Sequence, residues 1–333
     1  TVVALTSWDW IDENPWAELP GIPWTIVTAG TVILSYKLSG KGLAIFSLIA
    51  MVYISIFGQW EPSMQTLSFI LVAAPVSFIL GLSLGVMAYK SKTFEKALYP
   101  LLLVMQTMPQ YAVLVPAMVL FGIGDHSAAI ITIIVATPPM ILLTLLGLRG
   151  VSPEVIEAGK MSGCNNLQLM LKVLIPTARR DILIGVNQVI MVCLSMAVIA
   201  AFIGAKGLGW NLLLALNRLN IGLALEAGIC ISLIAVLLDK MSLAWANKQT
   251  DYFGNLNFYK RRKYELFFVI TVLVGLVITY FGSFYLKDGY NYLYEVPHNK
   301  GISTAEFWNR GVDWIWDTFF YPLKIFNTWL IQD

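Results

Sequence analysis

Long apolar runs separated by short polar breaks dominate the chain. Eight are candidate membrane spans: roughly 22–38, 42–58, 64–89, 98–122, 127–148, 182–204, 222–245 and 266–286. A spanning helix needs about 20 mostly apolar residues, with a range near 17–25. Lipid offers no partner for free backbone N–H and C=O groups, so these runs are expected to be helices. None alternates with period two, which argues against a barrel. Three of the runs carry internal proline: Pro75, then Pro109 with Pro116, then Pro138-Pro139. Proline removes a ladder bond, so kinks are expected there.

Composition points the same way. The 333 residues are 58% hydrophobic and only 13% charged, and mean hydropathy is +0.72. Charge is about half the roughly 25% of a soluble domain. Soluble, disordered and coiled-coil classes are excluded. The net charge of +2 gives no field for nucleic acid. Three cysteines without a CxxC spacing, Cys164, Cys193 and Cys230, suggest neither a disulfide framework nor a metal site. Lys and Arg counts set orientation. With the N-terminus outside, the inner segments hold sixteen of the 22 basic residues and the outer segments five. The expectation is an all-α, eight-span protein with its N-terminus outside.

The longest polar break, 149–181, should carry the chemistry. Ser152-Pro153-Glu154 reads as a helix start, with Ser as N-cap, Pro at N1 and an acid in the first turn. Helix formers run to Met161, Ser162-Gly163 breaks them, and Asn165-Asn166 can cap a second helix that Pro176 stops. Two short helices joined by a glycine turn are expected, lying on the inner face.

The same segment carries a spaced motif. Glu157-Ala158-Gly159 is followed after three residues by Gly163, and after nine more by Val173-Leu174-Ile175-Pro176. This resembles the EAA-x3-G-x9-I-x-L-P motif of bacterial ABC importer permeases, with conservative departures at Gly159, Val173 and Ile175. Stretches 94–124 and 185–209 also look like the glycine betaine/proline branch, and the likeness covers about 64–245. The resemblance implies a type I, binding-protein-dependent importer permease core. Its EAA helices, with Glu157, Ala158, Gly159, Gly163 and Pro176, would couple to a separate ABC ATPase subunit. The chain shows no GxxxxGK[ST], so ATP and Mg belong to that partner and no cofactor or catalytic residue is expected here. A periplasmic substrate-binding protein and a second permease unit, as homodimer or fused repeat, are the other implied partners, in a bacterial inner membrane.

Polar residues inside spans are the candidates for a translocation path. They are Glu226, Asn187 and Gln188, with Gln106 and Gln110 flanking Pro109. Tyr111 is the aromatic nearest the expected kink, where it could hold a quaternary ammonium. The competing reading is that such residues bridge packed helices. Asp181 and Asp239 are expected at span ends.

Four segments follow. Residues 1–63 hold an outer stretch and two accessory spans, and 64–245 the permease core with coupling segment 152–176. Residues 246–302 form a basic inner loop and one more span. Residues 303–333 are rich in Trp and Phe, start with a Ser303–Glu306 capping-box pattern, and are expected as an interfacial helix. They also resemble the stretch preceding the first span in this branch, so a second permease unit of a longer protein is expected near residue 303. The expected cargo is glycine betaine, proline or a related methylated amine; carnitine, choline and trimethylamine oxide share its class. An ABC permease for an amino acid and an ion-coupled secondary transporter are the alternatives. The second leaves the coupling motif unexplained.

Overall fold

The computed structural model describes residues 24–247 and 303–320, and every regular element among them is helical. The first two apolar runs form α1 (Trp24–Ser39) and α2 (Lys41–Ile56), joined at Gly40 with φ +85°. At 16 residues each they are about 24 Å long. That falls short of a hydrocarbon core of about 30 Å. Over the described residues neither reaches that length, and they pack as a pair against the bundle.

Four runs become single helices long and apolar enough to cross a membrane. These are α3 (Trp60–Lys90), α6 (Asp125–Arg149), α9 (Arg179–Ile199, extended as a 3-10 turn over Ala200–Ile203) and α11 (Ile221–Asn247). The run at 98–122 is not one helix. It is α4 (Lys92–Thr107) and α5 (Gln110–Phe121), bent by 104°. Pro109 cannot donate to the ladder and forces Met108 into extended backbone, φ −66° and ψ 133°. By contrast, α3 runs through Pro75 and α6 through Pro138-Pro139 as continuous helices. Counted as one broken span, the bent pair brings the candidate spans among the described residues from four to five. The eighth run, 266–286, lies outside the described residues. Short helix α10 (Leu208–Asn217) follows α9, and α12 (Ala305–Ile315), continued as a π-helical turn over Trp316–Phe320, closes the described part.

Helices α3, α6 and α9 form the centre, and glycine makes their contact possible. Gly81 and Gly85 stand one turn apart on α3. A Cβ at Gly81 would lie 2.5 Å from Met140 Cβ, and one at Gly85 would lie 2.7 Å from Thr144 Cβ. On α9, a Cβ at Gly185 would lie 2.8 Å from Met140 Sδ. Met140 is thus seated between two glycine faces and is fully buried. Small residues let helix backbones approach where lipid supplies no hydrophobic drive. Cys193 and Cys230 are buried in the same core, as the apolar runs imply.

We expect Gly81→Ala to destabilise the bundle by about 1–3 kcal/mol, because Met140 must leave its seat. Gly228→Ala on α11 serves as the control, since nothing lies within 4 Å of the added Cβ. Thermal unfolding in nanodiscs should show a lower Tm for the first and an unchanged or higher Tm for the second.

Candidate functional site

Two features carry the functional argument: the hairpin between α6 and α9, and a cavity at the α4–α5 break.

In the hairpin, α7 spans Pro153–Met161, with Pro153 in the first turn as expected. Ser152 is the N-cap residue, but its side chain does not cap the helix. Instead Glu154's carboxyl accepts hydrogen bonds from its own backbone N–H and from Ser152. These hold that carboxyl below the usual carboxylate range, the backbone bond contributing most. The C-terminus closes as a Schellman motif. Gly163 N–H donates to Lys160 O at 3.0 Å and Cys164 N–H to Gly159 O at 3.3 Å. The motif needs a left-handed residue at Gly163, whose φ is +78°. Asn165 and Gln168 then form a reciprocal capping box, with Gln168 N–H donating to Asn165 Oδ1 at 2.8 Å.

The second helix, α8, starts at Asn166–Gln168, widens to a π-helical turn over Leu169–Leu174 and ends with Ile175–Thr177. Pro176 does not stop it in front of a loop, as the sequence suggests. The wider π turn leaves room for a proline ring that would clash with the carbonyl four residues back in an α-helix. After the single residue Ala178 the chain enters α9.

Gly159 faces α8. A Cβ there would lie 2.7 Å from Leu169 Cδ1 and 3.3 Å from Val173 Cγ2. That explains why glycine stands where the resembling motif has its second alanine. Glu157, Ala158, Gly163 and Pro176 are exposed, beside Met161 (89% exposed), Leu167 and Leu171. The hairpin therefore presents apolar tips beside an acid.

At the other feature, a cavity of about 410 Å³ opens where the α4–α5 bend leaves a wedge against α6 and α9. Gln106 and Gln110 reach it from the two sides of the break, and Gln188 from α9, with Met105 and Met108 between them. These three glutamines are ones the sequence singled out. The opposite wall is α6, through Pro139 and Leu143. The sequence reading missed that wall, though the Pro138-Pro139 pair was its visible signal.

The other three candidates go elsewhere. Asn187 donates to Asp239 Oδ1 at 3.1 Å and accepts from the Ser242 hydroxyl, tying α9 to α11. Asp239 is thus a half-buried helix partner. Tyr111 is exposed and packs edge-on to Phe202 with ring centroids 5.5 Å apart, outside the lining of the cavity. Glu226 is 1% exposed and anchors α12. It accepts from Thr304 N–H at 2.5 Å and Thr304 Oγ1 at 3.0 Å. The Ser303–Glu306 capping box does not form: Thr304 is the N-cap but its side chain makes no capping hydrogen bond, and Glu306 pairs with Arg310 at 3.7 Å. Glu226 supplies the cap from another helix.

A bundle of apolar helices with an interhelical surface hairpin and an amide-lined cavity is the architecture of a transport permease. Residues 77–286 match the family described as binding-protein-dependent transport system inner membrane component, and the chain belongs to it. All 333 residues align at 79% identity with 46% of the trimethylamine N-oxide transport system permease protein TmoV of Pelagibacter ubique. The chain thus spans about half the length of that curated relative. It is 38% identical over 224 residues to the glycine betaine transport system permease protein OpuAB of Bacillus subtilis, covering 67% of this chain and 78% of that one. Among solved structures, the methionine ABC transporter MetNI matches with a TM-score of 0.51 at 19% identity. That match covers 56% of this chain and 94% of the other, and it supports the type I permease fold.

Two predictions follow from the hairpin. Gly163→Ala should loosen the turn by about 1–2 kcal/mol through left-handed strain, and Gly163→Asn by less. Hydrogen exchange across residues 158–168 checks this. Glu154's lowered pKa means its stabilisation is present above the ordinary carboxylate range and is lost as pH falls through the folded value. Amide protection of the first turn of α7 should fall on acidification, and Glu154→Gln should remove that dependence.

Proposed function

We propose that this chain is a membrane-spanning unit of an ATP-driven importer carrying trimethylamine N-oxide, glycine betaine or a related methylated amine. The observation that carries the reading is its family membership with 79% identity to a permease named for trimethylamine N-oxide. A binding protein delivers the solute, and a partner subunit hydrolyses ATP. The permease core is 64–245. The N-terminus lies outside, and a second permease unit completes the path. The α7–α8 hairpin is the coupling element. Exposed Met161, Leu167 and Leu171 enter an apolar groove of the ATPase, with Glu157 beside them.

The cavity chemistry suits this cargo. Amide N–H groups of Gln106, Gln110 and Gln188 can donate to an amine-oxide or carboxylate oxygen. Met105 and Met108 offer polarizable surface to N-methyl groups. The lining holds no fixed charge, so a dipolar solute can bind and leave.

The test is substrate-stimulated ATP hydrolysis in proteoliposomes with the full transporter, its ATPase and its binding protein, over a panel of methylated amines and amino acids. Stimulation by trimethylamine N-oxide or glycine betaine is expected, and stimulation by amino acids alone would overturn the substrate class. Uptake that follows an imposed ion gradient without ATP would overturn the importer. Gln188→Leu should lower stimulated turnover roughly tenfold or more, because it leaves a ligand oxygen unpaired. Ala158→Glu should abolish stimulation while insertion stays normal.

A further inference from the structure

A second cavity, of about 370 Å³, opens at the end of the bundle away from the hairpin. The course of α3 fixes which end this is. Its last residue, Lys90, leads into α4, where Glu95 pairs with Arg149 just before the hairpin. Its first two turns lie against the connection between α9 and α10, with Leu208 N–H donating to Thr66 Oγ1 at 3.0 Å. Glu61 and Gln65 of α3 form one wall, and Lys206, Trp210 and Asn211 the other.

The rim is built rather than loose. Lys206 N–H donates to Asp125 Oδ1 at 2.9 Å, and Asn211 Nδ2 donates to Gln59 Oε1 at 3.0 Å. Gly207 has φ +134°, and a Cβ there would lie 2.7 Å from Thr66 Oγ1. The backbone at this corner is therefore pinned on three sides. Preorganised walls lower the ordering cost of binding.

The lining combines two chemistries that one ligand class satisfies together. An indole face attracts a methylated ammonium. The ammonium of Lys206 favours an oxygen anion. A simple anion meets the negative face of the indole, and a simple cation meets Lys206. A compact solute with adjacent positive and negative ends suits both groups. The volume falls within the range of small-molecule pockets, about 300–1,000 Å³. We propose that this cavity is a binding site for a compact dipolar methylated amine, with Trp210 facing the N-methyl groups and Lys206 the oxygen. It is separate from the cavity at the α4–α5 break. Lys206 lies fourteen residues beyond Val192, which lines that cavity, and the two linings share no residue. This proposal rests on the proposed cargo.

The experiment uses the full-length transporter in nanodiscs, without binding protein, labelled with 5-fluorotryptophan. Trp210→Phe assigns the Trp210 fluorine resonance. Titration with trimethylamine N-oxide, and separately with glycine betaine, should shift that resonance saturably. Lys206→Gln should raise the apparent dissociation constant about fivefold or more, while Gln188→Leu leaves it unchanged. An unmoved resonance, or a shift that rises linearly without saturating, overturns the site. Uptake measured on the same preparations separates the two readings. Uptake with an unmoved Trp210 resonance overturns this site alone. A saturable shift without uptake of any methylated amine overturns the proposed function alone.

Discussion

The seat of Met140 between Gly81 and Gly185 is the contact on which the bundle depends. In lipid, helices gain little from burying apolar surface against one another, so close van der Waals approach must do the joining. Glycine at Gly81, Gly85 and Gly185 lets α3 and α9 come within reach of α6. The remaining attachments hang from this trio. Gly147 on α6 meets Asp181 and Ala178 at the start of α9, which holds the base of the hairpin closed. Thr66 near the other end of α3 holds the α9–α10 corner. Helix α11 is tied to α9 through Asn187, Asp239 and Ser242.

Hydropathy was a good guide to depth and a poor one to direction. Four spans could be read to within a few residues, because lipid imposes length and an internally satisfied backbone. What the pattern could not give was the face each helix turns to its neighbours. Central helices are apolar all round, so no stripe marks the packed side. This is why Asn187 and Gln188, adjacent in sequence, have opposite fates: one bridges helices and the other lines a cavity. Glu226 shows the same limit, since its partners, Ser303 and Thr304, are far along the chain.

Proline was legible only where nothing opposed it. At Pro109 the chain bends by 104°, and the bend exposes amide groups that a straight helix would turn into lipid or a neighbour. At Pro75 and Pro138-Pro139 the helices continue. Both lie in the trio, where packing on either side holds the backbone straight. The hairpin followed its local signals more closely. Gly163 and the Asn165–Gln168 box act within a few residues and need no tertiary partner. Only Pro176 misled, because the π turn before it changes the geometry that proline must meet.

The same trio gives the proposed coupling a physical route. Hairpin helix α7 follows α6 after three residues, and α8 precedes α9 by one. Both α6 and α9 line the amide cavity, through Pro139 and Leu143 on one and Gln188 and Val192 on the other. Because Gly159 lets α7 lie directly on Leu169 and Val173, the hairpin is a packed unit. A force on its exposed tips is therefore delivered to two helices at once. Their shared contact at Met140 lies beside Pro139, on the cavity wall. A displacement of α9 relative to α6 must then change the distance between Gln188 and the glutamines at the α4–α5 break. No separate relay is required, since the contact that holds the bundle together also borders the cavity.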